Sequence, residues 1–161
     1  MQVSNLSTPS TALFPVDQYS IEDSIGFMLA RVRTQLSRNA DELLLPFGIT
    51  HAQAAILLML SSGQHLTAAD LARESYTDAA SVKRMVDRLE SRGLIQRMPC
   101  GHDKRVFRIL LTAEGEQLKQ HIPAVFCGML SQYFEDFTAE ELGFLKSMLR
   151  RALTKNTLAT P

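Results

Sequence analysis

Ala79-Ala-Ser-Val-Lys-Arg-Met-Val-Asp-Arg-Leu-Glu-Ser-Arg-Gly-Leu-Ile-Gln-Arg-Met98 is the stretch that decides the fold. Val82, Val86 and Leu89 recur at i, i+4 and i+7, which puts one apolar stripe on a helix while Arg84, Asp87, Arg88 and Ser91 project from the other side. Gly93 stands where a helix C-cap needs a left-handed residue. Just upstream, Thr67-Ala-Ala-Asp70 opens a shorter helix with Leu71 and Ala72 facing in, and Tyr76-Thr77-Asp78 reads as the turn between the two. Downstream, Leu94 to Met98 and Val106 to Leu111 flank a polar turn and read as a β-hairpin. Two short helices, a tight turn and a basic hairpin make a winged helix-turn-helix.

Longer helices flank this module. Ile21, Ile25, Met28, Val32, Leu36 and Leu43 recur at helical steps before Pro46, so a long helix ends there. Thr50 followed by Gln53 is a capping-box pattern opening a nearly all-apolar, buried helix to Leu60. Thr112 caps a helix with Leu118, Ile122, Val125, Met129 and Tyr133 on one stripe, which Pro123 is expected to kink, and with Cys127 at least half packed. Thr138 with Glu141 opens a last helix bearing Leu142, Leu145, Met148, Leu149, Ala152 and Leu153. The expected organisation is a loose arm over 1–18, a dimerisation helix over 19–46, the DNA-binding region over 47–112, C-terminal dimerisation helices over 113–156 and a tail over 157–161. The fold class is mainly α with a small β-hairpin wing. Apolar stripes at both ends are hard to bury in one thin subunit, so a two-fold homodimer is expected, its terminal helices intertwined and its two recognition helices about 34 Å apart.

The 161 residues carry 17 basic and 17 acidic side chains, but the charge is uneven. From Ser81 to Arg108 there are eight basic residues against three acidic ones, a local excess that suits a polyanion bound on one side. Ser81, Lys83, Arg84 and Arg88 lie on or beside the outer face of the second helix, where long cationic side chains can neutralise phosphates or fork onto guanine in a major groove about 12 Å wide. Lys104 and Arg105 sit at the hairpin tip, where an arginine can enter the minor groove. Asp103 is expected to orient Arg105 or Arg97 by an ion pair, or else to staple the hairpin. Double-stranded DNA is therefore the expected partner.

The run Ser81 to Ile95, followed by Asp103-Lys-Arg105 and Leu111-Thr-Ala-Glu-Gly115, resembles the MarR family of regulators over approximately Ile21 to Leu153. The resemblance implies a dimer reading a palindromic site, with Ser81, Lys83, Arg84 and Arg88 on the recognition helix and Arg105 at the wing tip. One departure is Lys83, where members often carry threonine. It also implies release by a small aromatic acid or phenol held between the dimerisation helices and the DNA module, and the overall look is closest to repressors of aromatic-acid breakdown, pyridine carboxylates of the nicotinate type included. Phe27, Arg31, Arg38 and His51 are the effector-binding candidates, because a guanidinium can fork onto a carboxylate while a ring stacks on the ligand. Taken singly, Arg31 and Arg38 also read as intersubunit ion pairs and His51 as an ordinary first residue of a helix.

Other classes fare worse. No phosphate loop, GxSxG elbow, HExxH or paired carboxylates is present, so an enzyme is not expected. No cofactor or metal is expected, since Cys100, His65, His102 and His121 have no ligand spacing. A redox switch at Cys100 is the rival effector model, but peroxide sensors of the resembling family carry their cysteine near the start of the first helix, and none is there. A winged-helix adaptor binding protein would not need Arg84, Arg88 and Arg105 aligned. With no apolar run near 18 residues and no signal-like N-terminus, no membrane association and a cytoplasmic location are expected.

Overall fold

A computed structural model describes residues 13–61, 66–100 and 106–154. The elements are α1 (Ile25–Leu44), α2 (His51–Leu60), β1 (Leu66–Thr67), α3 (Ala68–Glu74), α4 (Ala79–Ser91), β2 (Ile95–Pro99), β3 (Phe107–Leu111), α5 (Ala113–Tyr133) and α6 (Ala139–Thr154), with single 3-10 turns at Val16–Gln18 and Leu45–Phe47.

Local chemistry sets the helix ends. Thr50 and Gln53 close a reciprocal capping box on α2, and Thr67 and Asp70 close another on α3. Thr138 and Glu141 satisfy each other's backbone N–H groups at the start of α6. Pro46 falls in the turn that ends α1, and Gly48 adopts a left-handed φ of 65°. Gly93, at φ 70°, turns the chain sharply from α4 into the sheet. α5 is continuous through Pro123.

Packing holds these pieces together more than the caps do. Leu44, Ile56, Leu57, Leu71, Val82, Val86, Leu89, Ile95, Ile109 and Ile122 are fully enclosed in one cluster joining α1 to α5 and the sheet. Each such side chain contributes about 1.5–3 kcal/mol on burial, against about 1 kcal/mol for a cap. α4 thus seats Val82, Val86 and Leu89 inside and leaves its polar side outward, as its spacing predicts.

Two expectations are corrected and one is extended. The first helix begins at Ile25 with Ser24 as N-cap, so Ile21 precedes it. The expected hairpin forms, Ile95 pairing with Leu111 and Pro99 with Phe107, and β1 adds a third antiparallel strand to it in the order β1-β3-β2, Leu66 pairing with Ile109 and Thr67 with Arg108. β1 has two residues, too few to show a period. Cys127 is exposed.

The ends of the chain differ from the middle. Ile25, Met28, Leu29 and Val32 of α1 are exposed, as are Phe144, Met148, Leu149 and Leu153 of α6, and α6 buries no residue. α1, α5 and α6 border a groove of about 680 Å³ lined mainly by apolar side chains such as Leu29, Val32, Leu130, Phe134 and Leu145. Among the described residues no single helix is long and apolar enough to cross a membrane.

Candidate nucleic-acid interface

α3 and α4 meet across a four-residue connection, Ser75 to Asp78. Tyr76 takes a left-handed φ of 50°, uncommon for a residue with a side chain, and the residue is 85% exposed. The Thr77 N–H donates to the Ala72 carbonyl at 3.0 Å, which holds the turn closed. Asp78 then caps α4, its carboxylate accepting from the Ser81 N–H at 2.8 Å. The hydrogen bonds from Ser81 hold the Asp78 carboxyl below the usual aspartate range.

The outer side of α4 carries Lys83, Arg84 and Arg88, all exposed, with Ser81 half-buried at its start. The Arg84 guanidinium donates to Ser81 Oγ at 2.8 Å, so its head lies over the first turn. Lys83 Nζ lies 3.0 Å from Asp87 Oδ2. Such exposed pairs are worth little to stability, about 0–1 kcal/mol, and a phosphate can compete for the lysine.

Two of the cations counted into the basic excess are engaged elsewhere. Arg97, on β2, turns onto α4 and forks between Asp87, at 2.5 Å, and Glu90. Its own N–H donates to Glu90 Oε1 at 3.2 Å. The Arg97 guanidinium, then Lys83, hold the Asp87 carboxyl below its ordinary range. Arg92 donates to the carbonyls of Phe47, at 3.0 Å, and Gly48, fastening the end of α4 to the corner after α1. Among the described residues, Arg97 takes its carboxylates from α4; Asp103, expected to orient Arg105 or Arg97, falls outside them.

A cleft of about 670 Å³ separates the starts of α3 and α4 from the base of the wing, with Ala69, Ala79, Lys83, Arg97 and Phe107 on its walls. The wing closes with the Cys100 N–H donating to the Val106 carbonyl at 2.8 Å. Asp103, Lys104 and Arg105 lie outside the described residues. Arg108 is exposed on β3 and offers a wing cation that the sequence reading counted but did not place at the interface. The exposed Tyr76 was also missed; a turn signal says nothing of which way a ring points.

The effector candidates fall into separate groups. The Arg31 guanidinium carbon lies 5.7 Å from the Phe27 ring centroid, a cation–π pair one helical turn apart. His51, the first residue of α2, meets the far end of α1: its N–H donates to Asp41 Oδ1 at 2.6 Å, its Nδ1 is 3.3 Å from Ser37 Oγ, and its ring is 5.6 Å from that of Phe126, while Asp41 lies fourteen residues, about 21 Å of helix, from Phe27. Arg38 is exposed on α1 between these groups. Among the described residues no three His, Cys, Asp or Glu side chains converge as a metal site.

Comparison with known proteins follows the same line. The MarR family model matches residues 49–107. An organic hydroperoxide resistance transcriptional regulator of Bacillus subtilis is 30% identical over 136 residues, 83% of this chain and 89% of that one. The multiple antibiotic resistance protein MarR of Escherichia coli is 28% identical over 130 residues, 80% of this chain and 90% of its own length. The crystal structure of a cysteine-to-serine variant of that protein complexed with operator DNA superposes with a TM-score of 0.73 at 27% identity, covering 80% of this chain and 92% of that one.

Proposed function

The chain belongs to the MarR family, whose members are DNA-binding transcriptional regulators and not enzymes, and on that premise we propose that it is a cytoplasmic, homodimeric repressor released from a palindromic operator by a small aromatic acid or phenol. The observation that carries the DNA reading is the outer side of α4. Lys83, Arg84 and Arg88 stand exposed on a helix whose other side is locked into the core by Val82, Val86 and Leu89. A helix so held can enter a major groove without losing its fold. Ser81, Lys83, Arg84 and Arg88 read the groove from α4, with Lys104 and Arg105 contacting DNA from the wing tip and Arg108 from its flank.

The homodimer rests on the uncovered apolar sides of α1 and α6. Surfaces of that kind are rare on stable monomers, and a two-fold pairing covers both at once. Repression is the default for so small a dimer, which blocks a promoter by occupying it. For the effector, the Phe27–Arg31 pair places a cation beside a ring, the arrangement that takes a flat carboxylate by fork and stack. A pyridine carboxylate fits that chemistry, as a benzoate does. The redox alternative has less support: the first cysteine in the chain is Cys100, far from α1.

Fluorescence anisotropy on duplex DNA from the protein's own upstream region, titrated with salt and then with aromatic acids, tests this reading. Tight binding that weakens steeply with salt and is released by one acid is expected. Absence of binding at low salt overturns it, and binding indifferent to every acid overturns the effector half.

A further inference from the structure

Arg97 occupies a position where a strand side chain would be apolar. Ile95, Arg97 and Pro99 alternate onto the same side of β2, and Arg97 pairs in register with the buried Ile109. A guanidinium there must be matched by acceptors, and α4 supplies two, Asp87 and Glu90, one turn apart. The remaining oxygen of Asp87 takes Lys83. Glu90, Arg97, Asp87 and Lys83 thus form a line of alternating charge running from the wing strand to the outer side of α4.

α4 and β2 are joined by the tight turn at Gly93 and packed together through Leu89 and Ile95 in the core. Arg97 adds a polar fixed point further along the strand, on the side of α4 that faces outward. We propose that Arg97 is a positioning residue for DNA recognition: forked onto Asp87 and Glu90, it fixes the angle between wing and recognition helix so that both enter DNA as one rigid reader. This rests on the DNA-binding reading above. Rigidity before binding favours the duplex whose shape matches that angle, and adds nothing on a duplex that does not.

Asp87→Asn gives a test in which two effects have opposite sign. Removing a negative charge from the DNA-facing helix and freeing Lys83 raises affinity for any duplex through phosphate attraction. Loosening the clamp lowers affinity for the matching duplex alone. The probes are the best-bound duplex that the wild-type protein selects from a randomised pool and a scrambled duplex of the same length, with thermal unfolding measured alongside. The expected result is affinity for the selected duplex lowered about tenfold and for the scrambled duplex raised severalfold. Arg97→Gln is expected to lower affinity for the selected duplex to a similar degree, and the double variant to lose no more than the worse single one. Affinities that rise together on both duplexes for Asp87→Asn overturn the proposal, as do losses that add in the double variant. Failure of the wild-type protein to select any duplex removes the DNA reading itself, an outcome visible before any variant is made.

Discussion

Gly115, in the first turn of α5, packs so closely on Leu94 that a Cβ on it would stand 1.9 Å from the Leu94 carbonyl oxygen. The approach is enforced by Thr112, whose N–H donates to that carbonyl at 3.1 Å and whose hydroxyl donates to the Gly93 carbonyl at 2.6 Å while accepting from the Gly115 N–H. Helix propensity alone favours alanine over glycine by about 1 kcal/mol. The clash is with backbone, which cannot swing aside, and overpacking of this kind costs about 1–3 kcal/mol. Gly115→Ala is therefore expected to lower the thermal midpoint by several degrees; a midpoint raised by the substitution would mean the junction yields.

Arg84 and Arg88 are expected to act as separate phosphate-neutralising groups. Arg84→Ala and Arg88→Ala should each weaken binding to the selected duplex and reduce the slope of log K against log salt by about one. Arg92→Ala makes the control, because its guanidinium is turned to the Phe47 and Gly48 carbonyls. It should leave the slope unchanged, and a drop there as large as for Arg84 would contradict the assignment of these cations.

Acid should loosen the module through its caps. Asp70 is held below the ordinary aspartate range chiefly by the Thr67 backbone N–H, and Asp78 by its hydrogen bonds from Ser81. A carboxylate with a depressed native pKa contributes stability in full above its unfolded value, about 3.9, and loses it as pH falls through the lower native value. The thermal midpoint should show no change from these two groups between pH 7 and about pH 5 and should drop below about pH 4. Asp78→Asn, which still caps but cannot titrate, should make that drop shallower; an equally steep fall would place its source elsewhere.

Leu149 borders the groove between α1, α5 and α6 and is 36% exposed in the single chain. Leu149→Glu is expected to yield a monomer by sedimentation while the far-ultraviolet circular dichroism stays near that of the parent, since α6 buries nothing in its own chain. A variant that stays dimeric would place the interface on another surface.

What was legible in the chain was local. Thr50 with Gln53, Thr138 with Glu141, the stripe of Val82, Val86 and Leu89, and Gly93 after α4 each work within one or two turns, and each stands where its spacing puts it. What was missed depends on distant neighbours. Arg92 and Arg97 entered only as part of a count of basic residues, and a count of charge carries no direction; one reaches carbonyls 44 and 45 residues away and the other carboxylates 7 and 10 residues back. β1 owes its existence to β3, far along the chain, and to no pattern of its own.

The fastening of Arg92 to the corner after α1 makes α4 the short arm of a lever whose long arm is α1. With the C-terminal end of α4 tied there, the helix cannot roll or slide without dragging that corner. In the proposed two-fold pair, a change in how the two protomers meet would therefore be carried through that corner to α4 and alter the gap between the two reading heads.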